Sequence, residues 1–414
     1  MRILRSNLTA GLADQAMVSL GNFALSVSLA RALPITEYGI YSVTLSFLLF
    51  FNTLHQAFVI YPLSVRVVSA PATEHAHLLQ TAMLLSALGA IVLVPVLGAA
   101  LLSMNRFMLL PIAFLALLGW QIQEVFRRDF LARNRAGPAI LLDAARYLGP
   151  LALVLSAGSG IKIASVFLCI AAMSAIAIAP LQPGLWRGSV VSLTGMRREL
   201  VHHWRMAGPV VGANLLFSLA TQWFLWVLAW SGGADRSATL MALANVVAII
   251  SPVMVGTEMI LVPEIAGLRA ERRSAELLRH FSLRALACGA LVMPPLVLIA
   301  VFPEQALRLF YGHDAAYAQH PDALRLLAVT YGCYFLGTLF GAFLRGYGKV
   351  ASVFWMQLYP TLIAMTLGTY LTLRFGLIGA CTATLLAGLL RACLGALFAA
   401  RIRTMTATSS GALA

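Results

Sequence analysis

Eleven residues able to do chemistry stand inside long apolar runs or at their ends, and their spacing is the most informative feature of the chain. Asp14 and Gln15 lie one to two turns into the first run, and Asn22 follows seven to eight residues on, which places all three on one helical face. Asn214 and Gln222, eight apart, repeat that polar face in a later run. Asp143 and Arg146 are three apart and can pair along a helix. His55 lies within the second run, Arg66 and Glu258 fall near the inner ends of the second and eighth, and Arg391 lies near the middle of the last. A charge at the centre of a bilayer costs about 3 kcal/mol even on the lenient insertion scale, so such a group faces a cavity or a partner. The chemistry on offer is binding: guanidiniums for a phosphate, amides for sugar hydroxyls, carboxylates for a cation or a proton. The competing reading is interhelical hydrogen bonding and snorkelling near the interface, and both readings stand for these residues.

Enzyme chemistry finds no support. No Gly-rich phosphate loop ends in Gly-Lys-Ser/Thr. No histidine pair has metal-ligand spacing on a helix; His75 with His77 and His202 with His203 read as solvated loop residues. Cys169, Cys288, Cys333, Cys381 and Cys393 all sit in apolar runs and read as small filler side chains. The longest expected outer loop, 304–322, offers only Glu304, His313, Asp314, His320 and Asp322. A membrane glycan polymerase or ligase needs more than that, and no cofactor or metal is expected.

These residues must be positioned by membrane helices. Of 414 residues, 60% are hydrophobic and only 11% charged, too few to cover a soluble protein's surface. Twelve apolar segments are long enough to span: 9–30, 39–62, 78–102, 107–123, 138–157, 162–181, 207–230, 237–262, 282–303, 323–343, 353–373 and 378–400. Backbone in hydrocarbon must satisfy its own hydrogen bonds, and period-two alternation is absent, so the expected class is an all-α polytopic membrane protein rather than a barrel. The first run holds Asp14 and shows no convincing cleavage site, so it reads as an anchor that is retained. With both termini inside, the inner segments carry 20 of the 29 Lys and Arg and the outer ones six, with Arg146, Arg325 and Arg391 left within spans. The net charge of +14 therefore reads as loops facing an anionic leaflet, not as a nucleic-acid surface. Tyr38, Tyr61, Trp186, Trp204 and Trp230, near span ends, read as interfacial belt residues. The 263–281 connector is amphipathic, suited to lie along the inner surface or to close a helical hairpin.

The halves echo one another. Leu29-Ala30 before a turn matches Leu228-Ala229, and Phe130-Leu131 entering one span matches Phe343-Leu344 entering another, each followed by a proline in the next helix, Pro150 and Pro360. The offset is about half the chain, with six spans per half, so the expected organisation is a parallel repeat: a six-helix bundle in 1–185, a cytoplasmic linker in 186–206, a second bundle in 207–400 and a tail in 401–414, with a central cavity between the bundles.

The stretch from Asp14 to Phe23, with the Leu29-Ala-Arg-Ala-Leu turn and Glu37-Tyr-Gly-Ile-Tyr41 joining the first two helices, resembles bacterial polysaccharide flippases. These belong to the multidrug/oligosaccharidyl-lipid/polysaccharide exporter superfamily. The Arg127-Arg-Asp-Phe-Leu-Ala-Arg-Asn-Arg135 segment fits the same family. The resemblance implies two bundles around a cavity that opens alternately to each side of the bacterial plasma (inner) membrane. The implied substrate is a polyprenyl-diphosphate-linked saccharide for capsule, exopolysaccharide or O-antigen synthesis, and the implied partners are membrane lipids and glycan polymerase and assembly proteins. Proton or sodium coupling through Asp14 or Glu258 has no specific pattern behind it. A cation-coupled drug or metabolite exporter of the same superfamily is the alternative, as is a non-transporting scaffold.

Overall fold

The computed structural model describes residues 2–71, 74–133, 135–181, 193–271, 274–313 and 315–411, and describes 2–16, 69, 193–194, 209, 274–275 and 403–411 by backbone alone. Every regular element among the described residues is helical, as a chain whose solvent is lipid requires. Among the described residues, ten helices are long and apolar enough to cross a membrane. One of them, Val350–Ile402, breaks at Gly376, whose φ of 58° is open to glycine. With the N-terminal helix Arg2–Ala32, all twelve expected segments fall on helices.

The helices are α1 (Arg2–Ala32), α2 (Ile35–Val68), α3 (His75–Ser103), α4 (Phe107–Ala132), α5 (Ala136–Gly160), α6 (Ile163–Leu181), α7 (Leu193–Gly232) and α8 (Ala234–Ala270). They continue as α9 (Ser274–Val301), the short α10 (Pro303–Tyr311), α11 (Pro321–Gly346), α12 (350–375) and α13 (377–402). Pro150 and Pro360 lie inside α5 and α12 as expected. A π-helical turn, Gln56–Ile60, follows His55 in α2, a distortion that often accompanies a functional site.

The chain folds into two compact units, 1–238 and 239–414. The sequence repeat divides at the 186–206 connector, whereas by packing α7 belongs with the first unit, where it lies against α2. In that unit α1 packs on α5, α4 on α6, and α3 on α4. In the second, α11 packs against α8, α9 and α13. The first core is built on Tyr38, Tyr41, Phe51 and Phe167, all at 1% exposure or less. Tyr41 stacks on Phe167 at 5.5 Å, and Tyr38 shares a 2.9 Å hydrogen bond with Ser26. Tyr38 is thus a core residue and not a belt residue, because α2 begins against α1 and its first turn is covered. Tyr61, Trp204 and Trp230 are exposed, and Trp186 lies outside the described residues. Gly39 between the two tyrosines permits a close approach: a Cβ there would sit 2.0 Å from the Ala234 carbonyl oxygen.

Three further expectations change. The fourth span does not stop at 123; α4 runs to Ala132, because Glu124, Asp129, Arg127 and Arg133 neutralise one another along it. The 263–281 segment is no separate surface helix. It continues α8 and starts α9, a hairpin clasped by Glu264 with His280 (2.8 Å) and Arg284 (2.6 Å), with Ile265 and Leu277 buried. Nor are all the histidines solvated: His75 bonds Asp129 at 2.9 Å, and His203, 2% exposed, bonds the Glu199 carbonyl at 2.9 Å.

Candidate functional site

The first unit holds an ion cluster where α4 and α5 face each other. Asp143, fully buried, accepts from Arg127 Nε at 2.6 Å and from Arg146 Nη2 at 3.3 Å. Glu124, one turn before Arg127, accepts from Arg127 Nη1 at 3.1 Å and lies 3.6 Å from Arg128. The spacings of three and four residues put these groups on one helical face. Arg146 completes its environment with aromatic faces, Trp120 at 4.8 Å and Tyr147 at 4.7 Å, and donates to the Tyr147 hydroxyl at 3.0 Å. Its Nε and Nη1 are buried without an acceptor. Gln123 donates to the Leu142 carbonyl and accepts from Ser174 at 2.7 Å, tying α4 to α5 and α6. Three guanidiniums face two carboxylates, so the cluster carries one surplus positive charge. A net cation inside a membrane helix bundle attracts an anion, and the ring faces offset its desolvation.

The second unit repeats the theme with other residues. Arg345 on α11 pairs with Glu258 on α8 at 2.7 Å. Arg391 on α13 has both of these and Tyr334 as electrostatic neighbours, yet among the described residues it has no ion-pair or hydrogen-bond partner. Its stem lies flat on α11 at Gly337, where a Cβ would stand 3.1 Å from Arg391 Cγ. Two guanidiniums against one carboxylate again leave one positive charge. Here the surplus group is part-exposed rather than wrapped in rings.

Of the remaining expected residues, none whose side chain is described forms an ion pair within these clusters, although His55 has Glu124 as an electrostatic neighbour. Arg66 donates to Glu199 at 2.5 and 3.3 Å and ties α2 to α7. Burial acts to raise the Glu199 carboxyl, but the Arg66 hydrogen bond and charge, with His203 and His202, hold it below the usual carboxylate range. His55 is buried and its Nε2 meets Ser86 Oγ at 2.8 Å; since that hydroxyl donates to the Ala82 carbonyl, Nε2 is the donor. Asn214 donates to the Thr53 carbonyl at 3.3 Å, Gln222 is part-buried, and Asn22 is exposed. The side chains of Asp14 and Gln15 lie outside those described. Sequence reading missed Glu124, Arg127 and Trp120, although the Glu124/Arg127 spacing at the end of an apolar run was a usable signal. Among the described residues no cluster of His, Cys, Asp and Glu can hold a metal ion.

Neither a family model nor a curated protein sequence matches the chain. Solved structures do. The inward-facing conformation of a multidrug resistance MATE family transporter of the MOP superfamily aligns with 97% of this chain and 99% of its own, with a TM-score of 0.71 at 17% identity. The fold is that of a MATE-type transporter. The MATE multidrug transporter DinF-BH, solved as a complex, aligns over 97% of this chain and 96% of its own, with a TM-score of 0.65 at 16% identity. A MOP superfamily transporter from Pyrococcus furiosus, described as having a binding pocket of reverse polarity that suggests a different function, aligns over 96% and 95%, with a TM-score of 0.61 at 14% identity. At these identities the MATE-type likeness is one of fold.

Proposed function

We propose that this chain is a membrane transporter of MATE-type fold that moves a polyprenyl-diphosphate-linked saccharide across the bacterial plasma membrane by alternating access. The observation that carries this reading is Arg391: a guanidinium inside a membrane span with no carboxylate pairing it among the described residues. A phosphate headgroup cannot enter bare hydrocarbon, and an unpaired guanidinium supplies a charge-assisted partner for it. A cationic drug would meet repulsion there. The polyprenyl tail stays in lipid while the headgroup uses the protein, and both termini stand on the cytoplasmic side. Neighbours of the same fold include multidrug transporters, which keeps a drug or metabolite exporter as the second reading, and one whose binding pocket is described as reversed in polarity, suggesting a different function. The test is transport in proteoliposomes of a fluorescent polyprenyl-diphosphate saccharide against an organic cation. Arg391→Gln is expected to lower saccharide-lipid transport at least tenfold with the protein still in the membrane; cation export undiminished in wild type, with no saccharide-lipid transport, establishes the exporter instead.

A further inference from the structure

The first unit carries a second feature that neither ion cluster accounts for. A cavity of about 560 Å³ lies between α2, α3 and the start of α7. Its walls are mostly apolar, among them Phe51, Phe58, Leu85, Val92, Val201 and Trp204, with His55, Ser86 and Gln121 as polar exceptions. It meets a second cavity, of about 540 Å³, lined by Arg197, Arg198, Val201, His202 and Arg205; Val201 and Arg205 belong to both. Among the described residues none of these three arginines has a carboxylate partner, because Glu199, the acid of this turn, is taken by Arg66. Burial lowers the His203 imidazolium below its ordinary value, more than its bond to the Glu199 carbonyl restores, so it adds no charge at neutral pH. The mouth is cationic and the interior greasy.

We propose that this groove binds an anionic phospholipid of the adjoining leaflet, one acyl chain along the apolar walls and the phosphate among Arg197, Arg198 and Arg205. Charge complementarity selects the head: three unpaired guanidiniums at the membrane surface are a phosphate site, and basic pockets of this kind between membrane helices hold anionic headgroups. Length selects the tail. The wall residues span 51–59 on α2 and 85–93 on α3, about 12 Å at ~1.5 Å per residue. That is close to half of a hydrocarbon core of about 30 Å, the depth of one leaflet. A polyprenyl chain is longer than this groove. The exposed indole of Trp204 stands at the junction of tail and head, where an amphipathic ring belongs. The proposal does not depend on what the protein transports.

The groove can be closed without disturbing the helices. Gly89 on α3 lines it, and a Cβ at Gly89 meets nothing within 4 Å. Full-length protein in phosphatidylcholine vesicles, doped with brominated phosphatidylglycerol or brominated phosphatidylcholine, reports occupancy through tryptophan quenching, with Trp204→Phe isolating the local signal. Brominated phosphatidylglycerol is expected to quench the Trp204 component several-fold more strongly. Combined Arg197→Gln, Arg198→Gln and Arg205→Gln substitutions are expected to remove that preference, and Gly89→Leu most of the quenching. Equal quenching by the two lipids in wild type overturns the proposal, as does full quenching in Gly89→Leu. Displacement of the brominated lipid by an equimolar polyprenyl phosphate also overturns it and gives the groove to a transported lipid.

Discussion

Asp143 shows how a single buried charge is made tolerable. Its carboxylate has no exposure and depends on Arg127 and Arg146 from two directions. Arg127→Ala removes the shorter contact and also strips Glu124 of its 3.1 Å partner, so a loss of about 3–5 kcal/mol is expected, the cost of breaking a buried pair by removing one partner. Thermal unfolding of the purified protein in detergent checks this, and Arg127→Lys is expected to recover part of the loss. Gly39 makes the steric counterpart. A Cβ 2.0 Å from the Ala234 carbonyl cannot be accommodated without moving α2 from the start of α8. Gly39→Ala is expected to lower membrane abundance sharply in an immunoblot of membrane fractions, while Gly89→Ala, with open space around it, leaves abundance unchanged.

At the scale of helices, charges that look like loop residues turn out to be clasps between them. Glu199 on α7 holds Arg66 on α2, and its carboxyl sits below the ordinary range. A depressed carboxylate contributes stability above its unfolded value of about 4.3 and loses it as pH falls through the lower folded value. The α2–α7 clasp is therefore complete at neutral pH and released only in acid. Melting temperatures of wild type and Glu199→Gln are expected to differ at pH 7 and to converge as the medium is acidified below about pH 4. A gap that stays constant over that range overturns the assignment. The Glu264 clasp between α8 and α9 explains why an amphipathic segment became a hairpin: its acid finds His280 and Arg284 across the turn, and its apolar face finds Ile265 and Leu277 in the same unit.

For the whole molecule, the ion cluster of each unit holds one guanidinium more than its carboxylates, but the surplus is housed differently. Arg146 is enclosed by Trp120 and Tyr147, while Arg391 keeps some exposure. An enclosed cation stabilises its own bundle; an open one is available to a substrate. Arg146→Ala is accordingly expected to reduce stability first, and Arg391→Ala to abolish surface polysaccharide at unchanged membrane abundance, with Asp14→Ala behaving as Arg391→Ala under the polysaccharide-transport reading. Full polysaccharide in both of the latter variants removes those residues from the site.

What the amino-acid order determined by itself is the part governed by local chemistry. Hydrophobic length placed twelve membrane segments on helices, since lipid leaves the backbone no other way to pair. The three-residue spacing of Asp143 and Arg146 announced their contact. Partners far apart in the chain were decided only by tertiary structure. Arg127 reaches Asp143 across 16 residues, Arg66 reaches Glu199 across 133, and the arginines of α7 meet an apolar groove built by α2 and α3. Hydropathy records how a residue meets lipid or water, whereas the partner of a charge is set by which helices pack side by side.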